Sequence, residues 1–277
     1  MRISIAHETH YAYAVPARQV VQILRLTPRS HTGQHVVRWS IDVDHDCRLV
    51  QSEDSFGNIT HTFTVGGPVG TLAVRVSGIV ETEETHGVVS GAAERLPPAL
   101  YLRETPLTGI EPPLRKFAEK ARSGNPLDTG HALTAAIFER MTFDTEATDT
   151  LTTAAEAFRE KHGVCQDFAH LFIACARSLG LPARYVSGYF VHQNGQTEHE
   201  AGHAWAELLV PDLGWVGFDP ANAVCAGENY VRVACGLDYL GAAPVRGIQS
   251  GGNDEALKVA VKVSQTDHMA DRMADNQ

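Results

Sequence analysis

The spacing of hydrophobic residues changes partway along this chain, and that change restricts it to folds that keep strands and helices in separate regions. Through residues 1–85 the period is two. Ile3, Ile5 and His7 alternate with Ser4 and Ala6, and Tyr11 and Tyr13 continue the series. Val20 to Leu26, Val36 to Val43 and Thr71 to Val80 are apolar, β-branched runs of strand length. Gly57-Asn58 follows Phe56 and precedes Ile59, Thr60, Thr62 and Thr64, the pattern of a turn feeding a strand. No helical period interrupts this region, so an all-β sandwich or barrel is expected there. Gly87, Gly91, Pro97 and Pro98 then break the pattern, and 86–110 is expected to be a linker.

From residue 111 onward the spacing lengthens. Pro112 and Pro113 suit a first helical turn, with Leu114, Phe117, Ala118 and Ala121 on one face. Asp128 is the expected cap of a second helix carrying Leu133, Ile137 and Met141. Thr153 and Glu156 have capping-box spacing. The clearest helix follows Cys165, where Phe168, Leu171, Phe172, Cys175 and Leu179 share a face, Gly180 supplies the C-terminal cap and Pro182 prevents continuation. Strands are expected at Arg184 to Val191, His203 to Val210, Trp215 to Phe218 and Leu257 to Val263. The expectation is therefore an α+β unit over 111–263 and a polar, frayed tail over 264–277.

Composition narrows the function. The 277 residues are 43% hydrophobic and 20% charged, enough for a sizeable core. A net charge of −10 argues against general nucleic-acid binding. The N-terminus shows no apolar stretch of a secretory signal, and no run approaches the roughly 20 apolar residues of a membrane helix. Cys47, Cys165, Cys175, Cys225 and Cys235 are odd in number and form no CxxC pair, so a disulfide framework and a structural zinc site are poorly supported. A cytoplasmic location is expected.

Three segments carry chemistry: Gly163-Val164-Cys165-Gln166-Asp167-Phe168-Ala169-His170, Gly202-His203-Ala204-Trp205 and Gly217-Phe218-Asp219-Pro220. A cysteine that opens a helix gains thiolate stabilisation from unpaired N–H groups, which also suit an oxyanion. Gly163 lets the backbone turn sharply and approach a substrate. His203 begins a strand, with Trp205 and Glu207 on its face, and a hairpin brings Asp219 back to it. That order suits a nucleophile, a base and an orienting carboxylate. Cys175, on the apolar face, reads as a packing residue. Gln166 is a candidate oxyanion donor, and Trp205 packs or walls a cleft. His170 faces away from Cys165. His162 is a loop residue, and Asp167 faces the helix dipole. His192, His199 and Glu200 lack the rigid spacing of a metal site.

These three motifs, with Pro182-Ala183-Arg184-Tyr185-Val186-Ser187-Gly188-Tyr189, resemble the catalytic core of the transglutaminase-like family. Arg25-Leu26-Thr27-Pro28-Arg29, Gly33-Gln34 and Phe56-Gly57-Asn58 are similar to the β-rich N-terminal region of its bacterial members. The resemblance implies a papain-like core, with Cys165 as nucleophile, His203 as base and Asp219 as its carboxylate. Gly202, Ala221 and Leu237 depart from the family's usual serine, threonine and arginine. No acidic calcium loop is evident, and neither metal nor cofactor is expected. The implied substrate is a peptide or protein amide, with no nucleic-acid or membrane partner. A thioester at Cys165 is resolved by water in a peptidase or amidase, or by an amine in a transglutaminase. Hydrolysis is preferred on the argument that water is at about 55 M. A noncatalytic peptide-binding module and a Cys165 redox switch are the alternatives of other classes.

Overall fold

In the computed structural model, residues 1–192, 198–199, 202–252 and 254–266 are described. The first half contains strands β1 (Arg2–Thr27), β2 (Gln34–Val43), β3 (Val50–Glu53), β4 (Ile59–Thr82) and β5 (Val88–Val89). Next come α1 (Pro112–Ala121), α2 (Pro126–Arg140), β6 (Thr142–Phe143), α3 (Ala154–Glu160), β7 (His162–Gly163) and α4 (Cys165–Ser178). The second half continues with β8 (Ala183–Phe190), β9 (Glu198–His199), β10 (His203–Val210), β11 (Gly214–Asp219), β12 (Val224–Cys225) and β13 (Tyr230–Gly236). It closes with α5 (Tyr239–Ala242), β14 (Val245–Ser250) and β15 (Glu255–Gln265).

Two antiparallel sheets organise these elements. The first has β4 and β1 at its centre, and β2 and β3 flank β4. The runs that read as separate strands, Ile3 to Tyr13 and Val20 to Leu26, are halves of one strand. Its register with β4 slips between Ala12 and Gln19, around Pro16, which cannot donate to a ladder. The slip bends the sheet, so that Tyr11 and Tyr13 from one half share a core with Val20, Leu24 and Phe63 from the other.

The expected unit boundaries need correcting. β14 and β15, the second containing the strand expected at Leu257 to Val263, pair with β1 in the first sheet rather than joining the second. The reason is that β4 covers only one edge of β1, and an uncovered edge of that length is an unsatisfied hydrogen-bonding surface. The region expected as a linker is also packed: β5 pairs with β11, and Tyr101 is buried. Ser264 and Gln265, expected in the frayed tail, are part of β15, while 267–277 lie outside the described residues.

The second sheet has the order β12-β11-β10-β8-β13. Helix α4 is its main support. Every residue from Gln166 to Arg177 is buried, so the helix is enclosed on all sides and only its ends, Cys165 and Ser178, reach the surface. Ala204, Ala206 and Leu208 of β10 share its core with Ala169, Phe172 and Ile173. The alternate residues Trp205 and Glu207 face the other way, toward the first sheet. Helix α2 begins earlier than expected. Asn125 is its cap, accepting from Asp128 N–H at 2.9 Å, and Pro126 takes the first position. The capping box of Thr153 and Glu156 opens α3 as its spacing predicts.

Candidate active site

Cys165 occupies the first turn of α4, where N–H groups have no acceptor inside the helix. The turn before it is shaped by Asp167, whose Oδ2 accepts from Val164 N–H at 2.9 Å and from Thr148 Oγ1 at 2.7 Å. This explains Gly163. A Cβ there would stand 2.5 Å from Asp167 Oδ2, and the residue is not in the left-handed region. The glycine admits the Asp167 carboxylate, rather than the sharp turn and substrate approach expected of it. Gln166 is buried and donates from Nε2 to Thr150 O at 3.3 Å. One N–H of the candidate oxyanion donor is thus spent on the 144–152 segment, which is also tied down by Asp144 N–H donating to Gly163 O at 3.0 Å.

His203 stands at the start of β10, and Asp219 at the end of β11. The two strands pair antiparallel from Ala206 with Phe218 to Val210 with Gly214, which brings the two side chains together. His203 Nε2 lies 2.6 Å from Asp219 Oδ2, and Cys165 is close enough to the imidazole to act on its charge. With Nε2 on the carboxylate, Nδ1 is the nitrogen left for sulfur. Burial alone would push the imidazole's pKa down from 6.5. The Asp219 charge and hydrogen bond, together with Cys165, outweigh it and hold His203 up at about 10.

Asp219 is fully buried and well supplied with donors. Ala221 N–H and Asn222 N–H donate to Oδ1 at 3.0 and 3.3 Å. Asn222 Nδ2 and Tyr230 Oη donate to Oδ2 at 2.7 and 2.8 Å. Burial would raise this carboxyl, but the His203 charge and these donors hold it below its ordinary value of 3.8. The two shifts have opposite consequences for stability. The His203 contribution is complete below 6.5 and is lost as pH rises toward 10; that of Asp219 is present above 3.8 and is lost as pH falls through its lowered value.

Trp205 is buried behind the imidazole, stacked at 6.2 Å between ring centroids, with Phe190 at 5.2 Å and Tyr230 at 5.9 Å from the same ring. It backs His203, with little of its ring exposed. Sequence reasoning missed Tyr230, Asn222 and Phe190. Asn222, three residues after Asp219, is within reach of a local side-chain turn and carried a signal. Tyr230 and Phe190 come from strands whose neighbours have no local signature.

The remaining candidates fall elsewhere. His170 is buried and accepts from Tyr239 N–H at 3.1 Å. His162 is half-buried in β7. Side chains of His199 and Glu200 lie outside the described residues, and among the described residues no three His, Cys, Asp or Glu side chains form a metal cluster. No helix among them is long and apolar enough to cross a membrane.

Labelling with limiting iodoacetamide near neutral pH is expected to modify Cys165 before the other four thiols. Burial pushes the Cys175 thiol far up, burial and Glu84 raise Cys225, and burial with three neighbouring aspartates raises Cys47. Cys235 is buried. Peptide mapping that found Cys175 or Cys47 labelled first would contradict this order.

A helix that opens on a half-exposed cysteine, packed on an antiparallel sheet that presents histidine and aspartate to it, is the arrangement of a papain-like, thiol-based enzyme. The profile of the transglutaminase-like superfamily matches residues 115–220, and that of the bacterial transglutaminase-like N-terminal region matches residues 3–81. A Mycobacterium leprae protein of uncharacterised function is 30% identical over 282 residues, covering 95% of this chain and 99% of its own. The chain belongs to the transglutaminase-like superfamily. A Cytophaga hutchinsonii crystal structure, reported as a candidate cysteine protease, superposes with a TM-score of 0.75 at 21% identity, covering 97% of this chain and 92% of that one. A protein-glutamine gamma-glutamyltransferase of Pseudomonas aeruginosa is 27% identical over 170 residues, covering 54% of this chain and 24% of its own.

Proposed function

We propose that this protein cleaves peptide or glutamine-type amides through a thioester on Cys165, with water as the preferred acceptor. The observation that carries the reading is the His203 imidazole, held by Asp219 at 2.6 Å on one nitrogen and close enough to Cys165 for the sulfur to raise its pKa. The Cys165 thiolate attacks the amide carbon, and the oxyanion meets the N–H groups of the α4 first turn. His203 gives its proton to the departing amine, leaving a Cys165 thioester. Water, deprotonated by the now neutral imidazole, attacks the thioester carbon, and the acid leaves as sulfur recovers its charge. Glu207, the nearest carboxylate along the His203 face, is fully engaged by two arginines and offers nothing to a lysine ammonium. The likeness to the P. aeruginosa glutamyltransferase supports amine transfer as the second reading.

The test is a glutamine-containing peptide supplied with millimolar labelled amine, both products followed by mass. Acid in excess is the expected result. Amine adduct in large excess over acid would overturn the preference for water while keeping the thioester.

The pH profile gives an independent check. Proton transfer to the departing amine requires a protonated His203, so kcat/KM is expected to fall as pH rises through about 10. Asp219→Asn removes the charge that holds the imidazole up, and should move that alkaline limb to lower pH by about one to three pH units. A limb that stays in place in this variant, or moves upward, would sever Asp219 from the mechanism.

A further inference from the structure

Among the described residues, strand β13 has a strand partner on one side only. It pairs with β8, and its other edge faces the first β-rich region. An extra residue between Arg232 and Ala234 bulges the strand and shifts its alternation by one. As a result Arg232 and Cys235, three apart, both turn their backbone N–H and C=O outward. Two side-chain amides meet them. Gln34 accepts from Arg232 N–H at 2.7 Å and donates to Arg232 O at 2.9 Å. Asn58 accepts from Cys235 N–H at 2.8 Å and donates to Cys235 O at 2.8 Å. Exchange of both bonds with one residue is what a paired antiparallel strand does.

Neither amide is adventitious. Gln34 is 4% exposed and Asn58 3%. Each spends its second N–H within its own region, Gln34 on Arg29 O at 2.8 Å and Asn58 on Asp54 Oδ2 at 3.0 Å. Asp54 is held in turn by Arg25 Nε at 2.9 Å. These residues lie in or beside the three N-terminal motifs singled out in the sequence, Arg25 to Arg29, Gly33-Gln34 and Phe56-Gly57-Asn58.

The strand they hold begins with Tyr230, the hydroxyl donor to Asp219, and Tyr230 is two residues from Arg232. We propose that the N-terminal β-rich region acts as a built-in substitute strand, and that Gln34 and Asn58 are positioning residues that hold β13 so that Tyr230 orients Asp219 against His203. The proposal rests on the reading of Cys165, His203 and Asp219 as the reacting groups. It gives the first sheet a part in the reaction without placing any of its residues in contact with a substrate.

The test is a double-mutant cycle on full-length protein. Gln34→Met keeps length and removes both contacts with Arg232. It is expected to lower kcat about tenfold with KM nearly unchanged, and to cost less than about twofold more once Tyr230→Phe is in place. Unchanged kcat in Gln34→Met, or an equal loss in both backgrounds, would overturn the proposal. Should Gln34→Met fail to fold, Gln34→Glu, which keeps the acceptor for Arg232 N–H, carries the same cycle. Amide exchange and the His203 ring resonances read the same variants without turnover. Faster exchange at Arg232 with shifted His203 resonances supports positioning; faster exchange with unmoved resonances overturns it. Turnover retained in Cys165→Ala would instead remove the underlying reading of the site, leaving the resonances as the test.

Discussion

Cys165→Ala is expected to lower turnover of an amide substrate on the order of 10⁴-fold or more, with the fold intact. The size follows from the division of labour. In the proposed mechanism His203 and Asp219 prepare the nucleophile and pass a proton, while only the Cys165 sulfur forms the bond to the amide carbon. What survives is stabilisation by the helix N–H groups and substrate binding. The stability should change little, because Cys165 is half-exposed and lies at the rim of the core. Cys175→Ala is the contrast. It removes a fully buried sulfur and should cost stability rather than turnover. Mass spectrometry of protein quenched during turnover should find the acyl adduct on Cys165 in wild type and none in Cys165→Ala. Wild-type activity in this variant would end the thiol reading.

Glu207→Ala is expected to destabilise the protein by about 3–5 kcal/mol. Glu207 is completely buried. Its Oε2 accepts from Arg184 Nε at 2.5 Å, and its Oε1 from Arg232 Nε at 2.7 Å. Burial would raise this carboxyl, but the two guanidinium charges hold it at about 2. Removing it leaves both arginines without their shared anion. Arg184 retains Glu94 at 2.9 Å and the face of Trp215 at 3.9 Å; Arg232 has its backbone held by Gln34. The linkage has a definite sign. This carboxylate's contribution is present above its ordinary value of 4.5 and is lost as pH falls toward 2. Chemical denaturation at neutral pH gives the loss directly, and it should shrink in acid. A neutral-pH loss under about 1 kcal/mol would mean that Glu94 and water suffice for Arg184 and Arg232.

The parts of this site that could be read from the chain are those fixed by local rules. α4 has an apolar face, a glycine after its end and a proline beyond, all within one segment. β10 and β11 are adjacent strands joined by a short turn, so the meeting of His203 and Asp219 followed from their spacing. Tyr230 was out of reach because β13 reaches the site only across β8, a neighbour chosen by the whole sheet. The role of Asn58 was hidden for a related reason. Its turn position was legible, but the backbone it serves lies far along the chain at Cys235. Gly163 was recognised as necessary for the wrong cause, since Asp167 four residues on, and not its own backbone angles, demands the missing Cβ. The long β1 was divided because Pro16 breaks the alternation locally, while the ladder resumes on the far side.

The pairing of β1 with β14 and β15 also sets an order of assembly. β1 is synthesised well before β14 and β15, so one of its edges stays open until residues 245–265 have left the ribosome. Loop closure across almost the whole chain is slow, and until it occurs β1 offers unpaired N–H and C=O groups to any passing strand. The region carrying Gln34 and Asn58 therefore completes its sheet after Cys165, His203 and Asp219 have all been translated. A nascent chain released before that point would carry Cys165 on an unfinished scaffold, and would lack the strands that cover the second edge of β1.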